Sequence, residues 1–214
     1  MADINTVLND ETWVERSLPA EDLTPEFSFV LSRTVYVGDP NSVEQLQSDV
    51  YNPPIAVPEL AARDPLRPSA REVIDQESKL AAYYLEMIDR TGRKPDAYAV
   101  GYWLRLEFVS EALDQQIGFP WWDRVAEASS LFDWARTTDS GGEEFFDCDQ
   151  GWFFRAGRMG QELHFQQGDL DTGDVYANLK VGRSGFLGRL DQAERDIGTV
   201  IERLGERLQI DPWS

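Results

Sequence analysis

The stretch QGWFFRAGRMGQELHFQQGDLDTGDVYANLKV, residues 150–181, alternates short apolar runs with turns rich in glycine and aspartate. Three runs have the aromatic and β-branched composition of strands: 150–156, 162–167 and 175–181. The separators, 157–160 and 168–174, contain residues that tolerate the backbone angles of tight turns. Because such short connections join antiparallel neighbours, the stretch predicts an antiparallel meander in the C-terminal half.

Further strands and helices are predicted on both sides of the meander. Two are strands and three are amphipathic helices: strands 27–37 and 97–109, and helices 69–90, 120–135 and 184–208. Ser69 and Glu72 have the spacing of a capping box at a helix start. The residues after the second strand, SEALDQQIGF, leave open whether it ends there or turns into a helix. Strands and helices do not alternate, so we predict an α+β fold in a single domain, 1–214, with an antiparallel sheet packed against amphipathic helices.

The chain is strongly acidic, with 39 Asp and Glu against 20 Lys and Arg among 214 residues and a net charge of −19. This charge argues against direct contact with nucleic acid, because phosphates are bound by clustered Lys and Arg. It argues equally against docking on an anionic membrane. The charge favours a basic partner, alongside the plainer role of keeping the protein in solution.

Two segments carry most of the excess negative charge. Residues 1–26 contain seven acidic side chains and one basic one, and we expect them to form a flexible start. Residues 139–174 contain nine acidic side chains and two Lys or Arg. A concentrated field of one sign speeds the encounter with a partner of the opposite sign. We therefore predict that acidic residues of the second segment bind the partner: Asp139, Glu143, Glu144, Asp147, Asp149, Asp169, Asp171 and Asp174.

Aromatic residues lie close to this acidic segment in the sequence. Trp121 and Trp122 precede it, and Trp152, Phe153 and Phe154 open the meander within it. Most large aromatic side chains are buried in a core. Those that stay exposed beside carboxylates fit a protein interface, in which aromatic anchors are surrounded by a charged rim.

Catalytic and metal-binding patterns are weak in this sequence. His164 is the only histidine and Cys148 the only cysteine, so neither a disulfide within the chain nor a cysteine-rich zinc site can form. The aspartate-rich separator 168–174 departs from the ligand pattern of a calcium loop, and no phosphate-binding glycine motif occurs. We therefore expect no enzyme activity, no cofactor and no metal. The alternative is a small metal-dependent hydrolase that uses Asp147, Asp149 and His164.

The N-terminus lacks the features of a secretory signal. Its first basic side chain is Arg16, and it lacks the continuous apolar segment of a signal peptide. No apolar run in the chain approaches the roughly 18 residues that span a bilayer. These observations predict a cytoplasmic protein.

The stretch CDQGWFFRAGRMGQELHFQQGDLDTGDVYANLKV, residues 148–181, is followed by an amphipathic helix. It resembles the C-terminal part of bacterial polymorphic-toxin immunity proteins, and the immunity protein 52 family is the nearest. The resemblance extends from about Asp147 to Leu208 and implies a cytoplasmic antitoxin that binds and occludes its cognate effector. Members of that family are usually paired with toxins that carry a restriction-endonuclease-like nuclease domain, often delivered by type VI secretion. The resemblance assigns no toxin-contacting residue.

Overall fold

The computed structural model describes residues 12–33, 55–91, 101–137, 144–210 and 212–213. Eight strands lie within these residues: β1 (Leu18–Pro19), β2 (Thr24–Phe29), β3 (Leu104–Ser110), β4 (Gln115–Gly118), β5 (Phe145–Asp149), β6 (Trp152–Met159), β7 (Glu162–Asp169) and β8 (Asp174–Gly182). The same residues form a 3-10 helix, Trp13–Arg16, and four α-helices: α1 (Ala70–Val73), α2 (Glu77–Thr91), α3 (Val125–Arg136) and α4 (Arg183–Leu208). The predicted α+β class is confirmed. Among the described helices, none combines the length and the apolar character that a membrane crossing requires.

The predicted meander forms most of a five-stranded sheet in the order β1-β8-β7-β6-β5. Strands β5 to β8 pair antiparallel with their neighbours, and β1 pairs parallel with β8. The strands are longer than predicted, because residues 157–159 continue β6 and only a two-residue turn separates β6 from β7. Strand β5 was not predicted, so the meander contains four strands instead of three.

A second sheet has three strands in the order β2-β3-β4. Buried and half-buried residues alternate along β3, as the period of two in the sequence predicts. The chain then turns back, and β4 pairs antiparallel with β3 from Glu107↔Gly118 to Ser110↔Gln115. The question left open for SEALDQQIGF is thereby settled in favour of a hairpin. Residues 34–37 and 97–100 of the two predicted strands lie outside the described part of the chain.

The predicted helix 69–90 consists of two helices, α1 and α2. The Oγ atom of Ser69 accepts a hydrogen bond from the Glu72 amide, and the Glu72 carboxylate accepts one from the Ser69 amide, so the capping box is confirmed. Asp75 then adopts a φ of 67°, in the left-handed region that interrupts a helix. The prediction of one continuous helix was therefore wrong at residues 74–76.

The described part of the acidic N-terminal segment makes contacts with the five-stranded sheet through Trp13. Trp13 is buried, and the guanidinium carbon of Arg155 lies 4.6 Å from the centroid of its ring. The indole Nε1 of Trp13 donates to Glu144 at 3.1 Å. These contacts describe residues 12–26, while residues 1–11 lie outside the described residues, and the flexible start stays a prediction.

The chain divides into two compact units, each built from three segments: Met1–Glu26, Leu106–Trp122 and Glu127–Gln192 in the first, and Phe27–Arg105, Asp123–Ala126 and Ala193–Ser214 in the second. In the first unit, Phe108 makes ring contacts with Phe119, Phe165 and Phe186 at centroid distances of 5.1–5.2 Å. In the second unit, Tyr84 stacks on Tyr102 at 5.0 Å. A single domain over 1–214 stays a prediction.

The close approach of two strands at Gly168 gives a test of this packing. A Cβ atom at residue 168 would lie 2.2 Å from the Asp174 carbonyl oxygen and 2.6 Å from a ring carbon of Phe153. We expect Gly168→Ala to lower the free energy of unfolding by about 3 kcal/mol, since the overlap involves backbone that cannot move aside. A Cβ atom at residue 188, on α4, would meet no other atom within 4 Å. As the matched control, Gly188→Ala should raise the free energy of unfolding by about 0.5–1 kcal/mol through helix propensity.

Urea unfolding measures the free energy of unfolding of both variants. Its dependence on urea concentration should be the same in both, so that the midpoints can be compared directly. Equal midpoints for the two alanine variants would contradict the described contact between β7 and β8.

Candidate functional site

A cleft of about 570 Å³ lies beside strand β5 in the first unit. Its lining combines aromatic, acidic and small polar side chains: Trp121, Trp122, Glu127, Ser130, Phe145, Phe146, Asp147, Cys148 and Asp149. Trp121 and Phe146 are 41% and 45% exposed, although large aromatic side chains are usually buried. We call this cleft, with these nine residues, the β5 cleft.

The turn between β5 and β6 positions β5, the strand that lines the cleft. Gln150 and Gly151 have φ values of 47° and 87°, which is the pattern of a two-residue type I′ turn. A Cβ atom on residue 151 would lie 2.7 Å from Oδ2 of Asp171. Glycine is therefore favoured at this position by its backbone angle, and a Cβ atom would also require the exposed Asp171 side chain to move. The turn places β5 in register with β6, from Phe145↔Ala156 to Asp149↔Trp152.

Trp122 and Asp147 connect the two walls of the β5 cleft. The indole Nε1 of Trp122 donates to Oδ2 of Asp147 at 2.8 Å. The ring of Trp122 stacks on Phe119 at 4.5 Å and meets Phe145 edge-on at 6.2 Å. The hydrogen bond fixes the carboxylate of Asp147 in a cleft that the exposed ring of Trp121 also lines, so the same cleft presents an aromatic surface and a negative charge.

The predicted acidic residues around β5 have different surroundings. Asp147 and Asp149 line the β5 cleft, and Asp149 is exposed. Glu144, just before the strand, accepts the hydrogen bond of Trp13 and does not line the cleft. Asp139 and Glu143 lie outside the described residues.

The remaining predicted acidic residues lie at one end of the same sheet. The register pairs Asp149 with Trp152, Trp152 with Asp169, and Asp169 with Asp174, so three carboxylates follow one row across the strands. Neighbouring strands are about 4.8 Å apart, which places Asp149 and Asp169 about 10 Å from each other. Asp171 lies in the turn between β7 and β8, where Oδ1 of Asp169 accepts hydrogen bonds from the amides of Asp171 and Thr172 at 2.7 and 3.0 Å. Asp149, Asp169, Asp171 and Asp174 therefore form a common acidic edge.

The residues of the hydrolase alternative are not brought together. Residues paired across antiparallel strands share a face of the sheet, and successive residues alternate between faces. Asp147 pairs with Phe154, which pairs with Gln167, whereas His164 lies an odd number of residues from Gln167. His164 is therefore on the opposite face of the sheet from Asp147 and Asp149, a separation that no sequence pattern indicates. In the described parts of the chain, no group of three His, Cys, Asp or Glu side chains is placed to hold a metal ion.

His164 belongs instead to a buried polar cluster that covers the other face. Its Nδ1 lies 3.1 Å from Oγ of Ser17, and the Ser17 hydroxyl donates to Oδ1 of Asn178 at 2.9 Å. Nearby, Nε of buried Arg155 donates to Oε1 of Gln166 at 2.9 Å. Burial lowers the pKa of Arg155 to about 10. The cluster attaches the N-terminal segment to the sheet, which is a structural role.

Several residues of the β5 cleft are not singled out by the sequence. Glu127 and Ser130 fit only the outer face of a predicted helix, and Phe146 falls outside the predicted elements. The sequence FFDCD, residues 145–149, could have indicated an exposed Phe146. Side chains alternate along a strand, so of two successive phenylalanines one faces the core and the other faces away. Trp121 is a candidate for an exposed anchor in the sequence, and its exposure agrees with that interpretation.

Comparison with models of known protein families found no match for this chain. Comparisons with curated proteins and with solved structures found no match either. The resemblance to immunity proteins therefore stays a prediction.

The buried histidine gives a pH-dependent test of the polar cluster. Burial lowers the pKa of His164 below its ordinary value of 6.5, and the nearby Glu162 only partly opposes this shift. As the pH falls below about 6.5, the unfolded chain takes up a proton at this histidine before the folded protein does. The stability contributed by neutral His164 is thus fully present above that pH and is lost as the pH falls towards the folded pKa.

We expect wild-type protein to lose more free energy of unfolding than His164→Gln between pH 7.5 and 5.5, by at most about 1.4 kcal/mol per pH unit. Urea unfolding across this range, with the variant as the reference for all other titrating groups, measures the difference. Parallel pH profiles for the two proteins would show that His164 is not buried in the neutral form.

Proposed function

We propose that this protein is a cytoplasmic immunity protein that binds a basic secreted effector and occludes its functional surface. The observation that carries the proposal is the β5 cleft, where the exposed rings of Trp121 and Phe146 stand beside the carboxylates of Asp147 and Asp149. Protein interfaces are enriched in tryptophan and other aromatic anchors, and their rims are polar. The arrangement supports binding of a protein that offers positive charge.

The overall charge supports the same kind of partner. The acidic edge formed by Asp149, Asp169, Asp171 and Asp174 adjoins the β5 cleft through Asp149, and the whole chain has a net charge of −19. A nuclease must present positive charge to bind phosphates. An acidic protein is attracted to that surface over a distance and competes with the nucleic acid for it. An inhibitor of this kind needs a complementary surface and no reacting groups.

The class of effector comes from the resemblance of residues 148–181 to polymorphic-toxin immunity proteins. It points to a nuclease effector delivered between bacteria by type VI secretion. Such a toxin acts on nucleic acid inside the cell, so its antidote must be present in the cytoplasm. This part of the proposal depends on the resemblance, whereas the basic character of the partner depends on the β5 cleft and the charge.

The direct test is co-expression with the product of the neighbouring gene, followed by affinity purification and native mass spectrometry. The proposal expects a stable stoichiometric complex with a basic protein, together with loss of that protein's nuclease activity on titration. A complex in which the nuclease stays fully active would contradict occlusion. A neighbouring product that forms no complex and needs no antidote in cells would contradict the immunity function.

Charge reversal at the acidic edge tests how the partner is attracted. We expect Asp149→Lys with Asp171→Lys to lower the association rate constant by roughly tenfold at low ionic strength, with a smaller effect as salt screens the charges. Both side chains are exposed, so the fold should be retained. The matched control is Glu202→Lys with Glu206→Lys, which changes the net charge equally at exposed positions of α4.

Stopped-flow or surface-based binding kinetics at two salt concentrations measure the rate constants. If both double variants slow association equally, net charge alone steers the partner and the acidic edge has no special role.

A further inference from the structure

Strand β5 has an open edge beside the cleft. It is the last strand in the five-stranded sheet, and among the described residues it pairs with β6 alone. In the described residues, β1 has two residues and contains Pro19, and β4 has four residues. The segment that begins at Leu66 accepts hydrogen bonds from Phe29, at the end of β2, and from Leu31. No backbone group of β5 makes a hydrogen bond beyond β6 within the described part of the chain.

The register identifies which backbone groups face the open edge. A two-residue type I′ hairpin closes with a hydrogen-bonded pair, here Asp149 and Trp152. Hydrogen-bonded and non-hydrogen-bonded pairs alternate along antiparallel strands, so Asp147 and Phe145 also bond to β6. The N–H and C=O groups of Phe146 and Cys148 therefore point away from β6.

The β5 cleft runs along this edge. All five consecutive residues of β5 line it, including residues from both faces of the sheet. A cleft that touched only one face would be lined by alternate residues. The free N–H and C=O groups of Phe146 and Cys148 thus border the same space as the exposed rings of Trp121 and Phe146.

We propose that the partner binds by adding an extended segment to the open edge of β5 as an antiparallel strand in which basic and apolar residues alternate. The basic character of the partner rests on the proposed function, whereas the mode of binding rests on the geometry of the edge. Addition of a strand to an exposed edge derives affinity from main-chain hydrogen bonds and specificity from the alternating side chains.

The side chains of β5 specify the sequence of that segment. Asp147 and Asp149 project on the face where Trp122 donates a hydrogen bond to Asp147, and they match basic side chains directly opposite. Phe146 and Cys148 project on the other face and are exposed. They match apolar side chains, because an exposed phenylalanine gains most from an apolar neighbour across the strands.

A second copy of this chain is the poorer occupant. Antiparallel pairing of β5 with itself would bring carboxylates of Asp147 and Asp149 together across the new pair, and like charges in opposite positions destabilise a sheet. Charged residues on a sheet edge are a common device against such self-pairing. The net charge of −19 adds repulsion between copies. The same two carboxylates favour a basic strand.

The test uses a peptide probe of the sequence Lys-Val-Arg-Val-Lys-Val, acetylated and amidated, with the wild-type protein. In the proposed register the valines lie opposite Phe146 and Cys148, so their N–H groups donate to β5 and those of the basic residues point away. We expect N-methylation of the three valines to weaken binding by roughly tenfold or more, because it removes main-chain hydrogen bonds. N-methylation of the three basic residues is the matched control and should change binding much less.

Calorimetry measures the affinities, and amide hydrogen exchange at Phe146 and Cys148 reports the backbone contacts. Slower exchange at both amides with the unmodified peptide, and slower alkylation of the Cys148 thiol, are expected. Equal binding of the two N-methylated peptides, or binding without protection of these amides, would overturn the proposal in favour of simple charge attraction. Concentration-dependent dimerisation that protects the same amides would show that a second copy occupies the edge.

A substitution in the protein provides an independent measurement. Phe146→Pro removes the outward N–H without removing a bond to β6, and proline is tolerated on edge strands. Phe146→Ala loses the same ring but keeps the N–H, so the difference between the two variants isolates the backbone bond. We expect the proline variant to bind the peptide more weakly than the alanine variant, with circular dichroism and urea unfolding confirming the fold. Equal affinities would overturn the proposal.

Failure of this proposal is distinguishable from failure of the proposed function. If the neighbouring effector forms an inhibitory complex with the alanine and proline variants equally well, the immunity function stands and strand addition is wrong. If the peptide pairs with β5 but no effector is neutralised, strand addition stands and the immunity function is wrong.

Discussion

The contact of Phe165 with Phe108 and Phe186 is the interaction on which the first unit depends. The three rings come from β7, β3 and α4, and Phe108 is completely buried. Because side chains alternate along a strand, seating Phe165 on this face sends His164 and Gln166 to the opposite face. Phe165 pairs with Ala156, and Ala156 pairs with Phe145, so Phe145 lies on the same face as Phe165. Phe146 therefore lies on the opposite face, at the edge of the sheet. The aromatic core therefore determines which side chains of β5 lie on each face of the sheet.

The meander was predictable because its local signals agree with its final packing. Apolar alternation and glycine-aspartate turns both indicate strands between residues 150 and 181. Strand β5 was not predicted because FFDCD contains two aspartates, which are rare in strands. The strand is stabilised by its pairing with β6 and not by its own strand propensity. The interruption between α1 and α2 was also missed, since the left-handed Asp75 depends on where both helices pack and leaves no mark in the periodicity.

The candidate site was predictable in its chemistry but only partly in its geometry. The acidic residues and Trp121 were identified from composition, and four of the acidic residues do form one edge. The placement of Asp147 and His164 on opposite faces of the sheet could not be predicted from their positions in the sequence. It depends on the register of two strand pairs, β5 with β6 and β6 with β7. The Trp122 bond to Asp147 joins segments 25 residues apart, which no local pattern reveals.

The parallel pairing of β1 with β8 has a consequence for synthesis of the chain. Ser17, just before β1, bonds to Asn178 of β8 across a sequence separation of 161 residues. At ribosomal rates of about 5–20 residues per second, the N-terminal segment waits on the order of ten seconds before its partner strand is made. Until then Trp13 has no sheet to cover, so a nascent chain carries an exposed tryptophan and an unfinished sheet. Residues 17–19 are therefore synthesised long before the strand with which they pair.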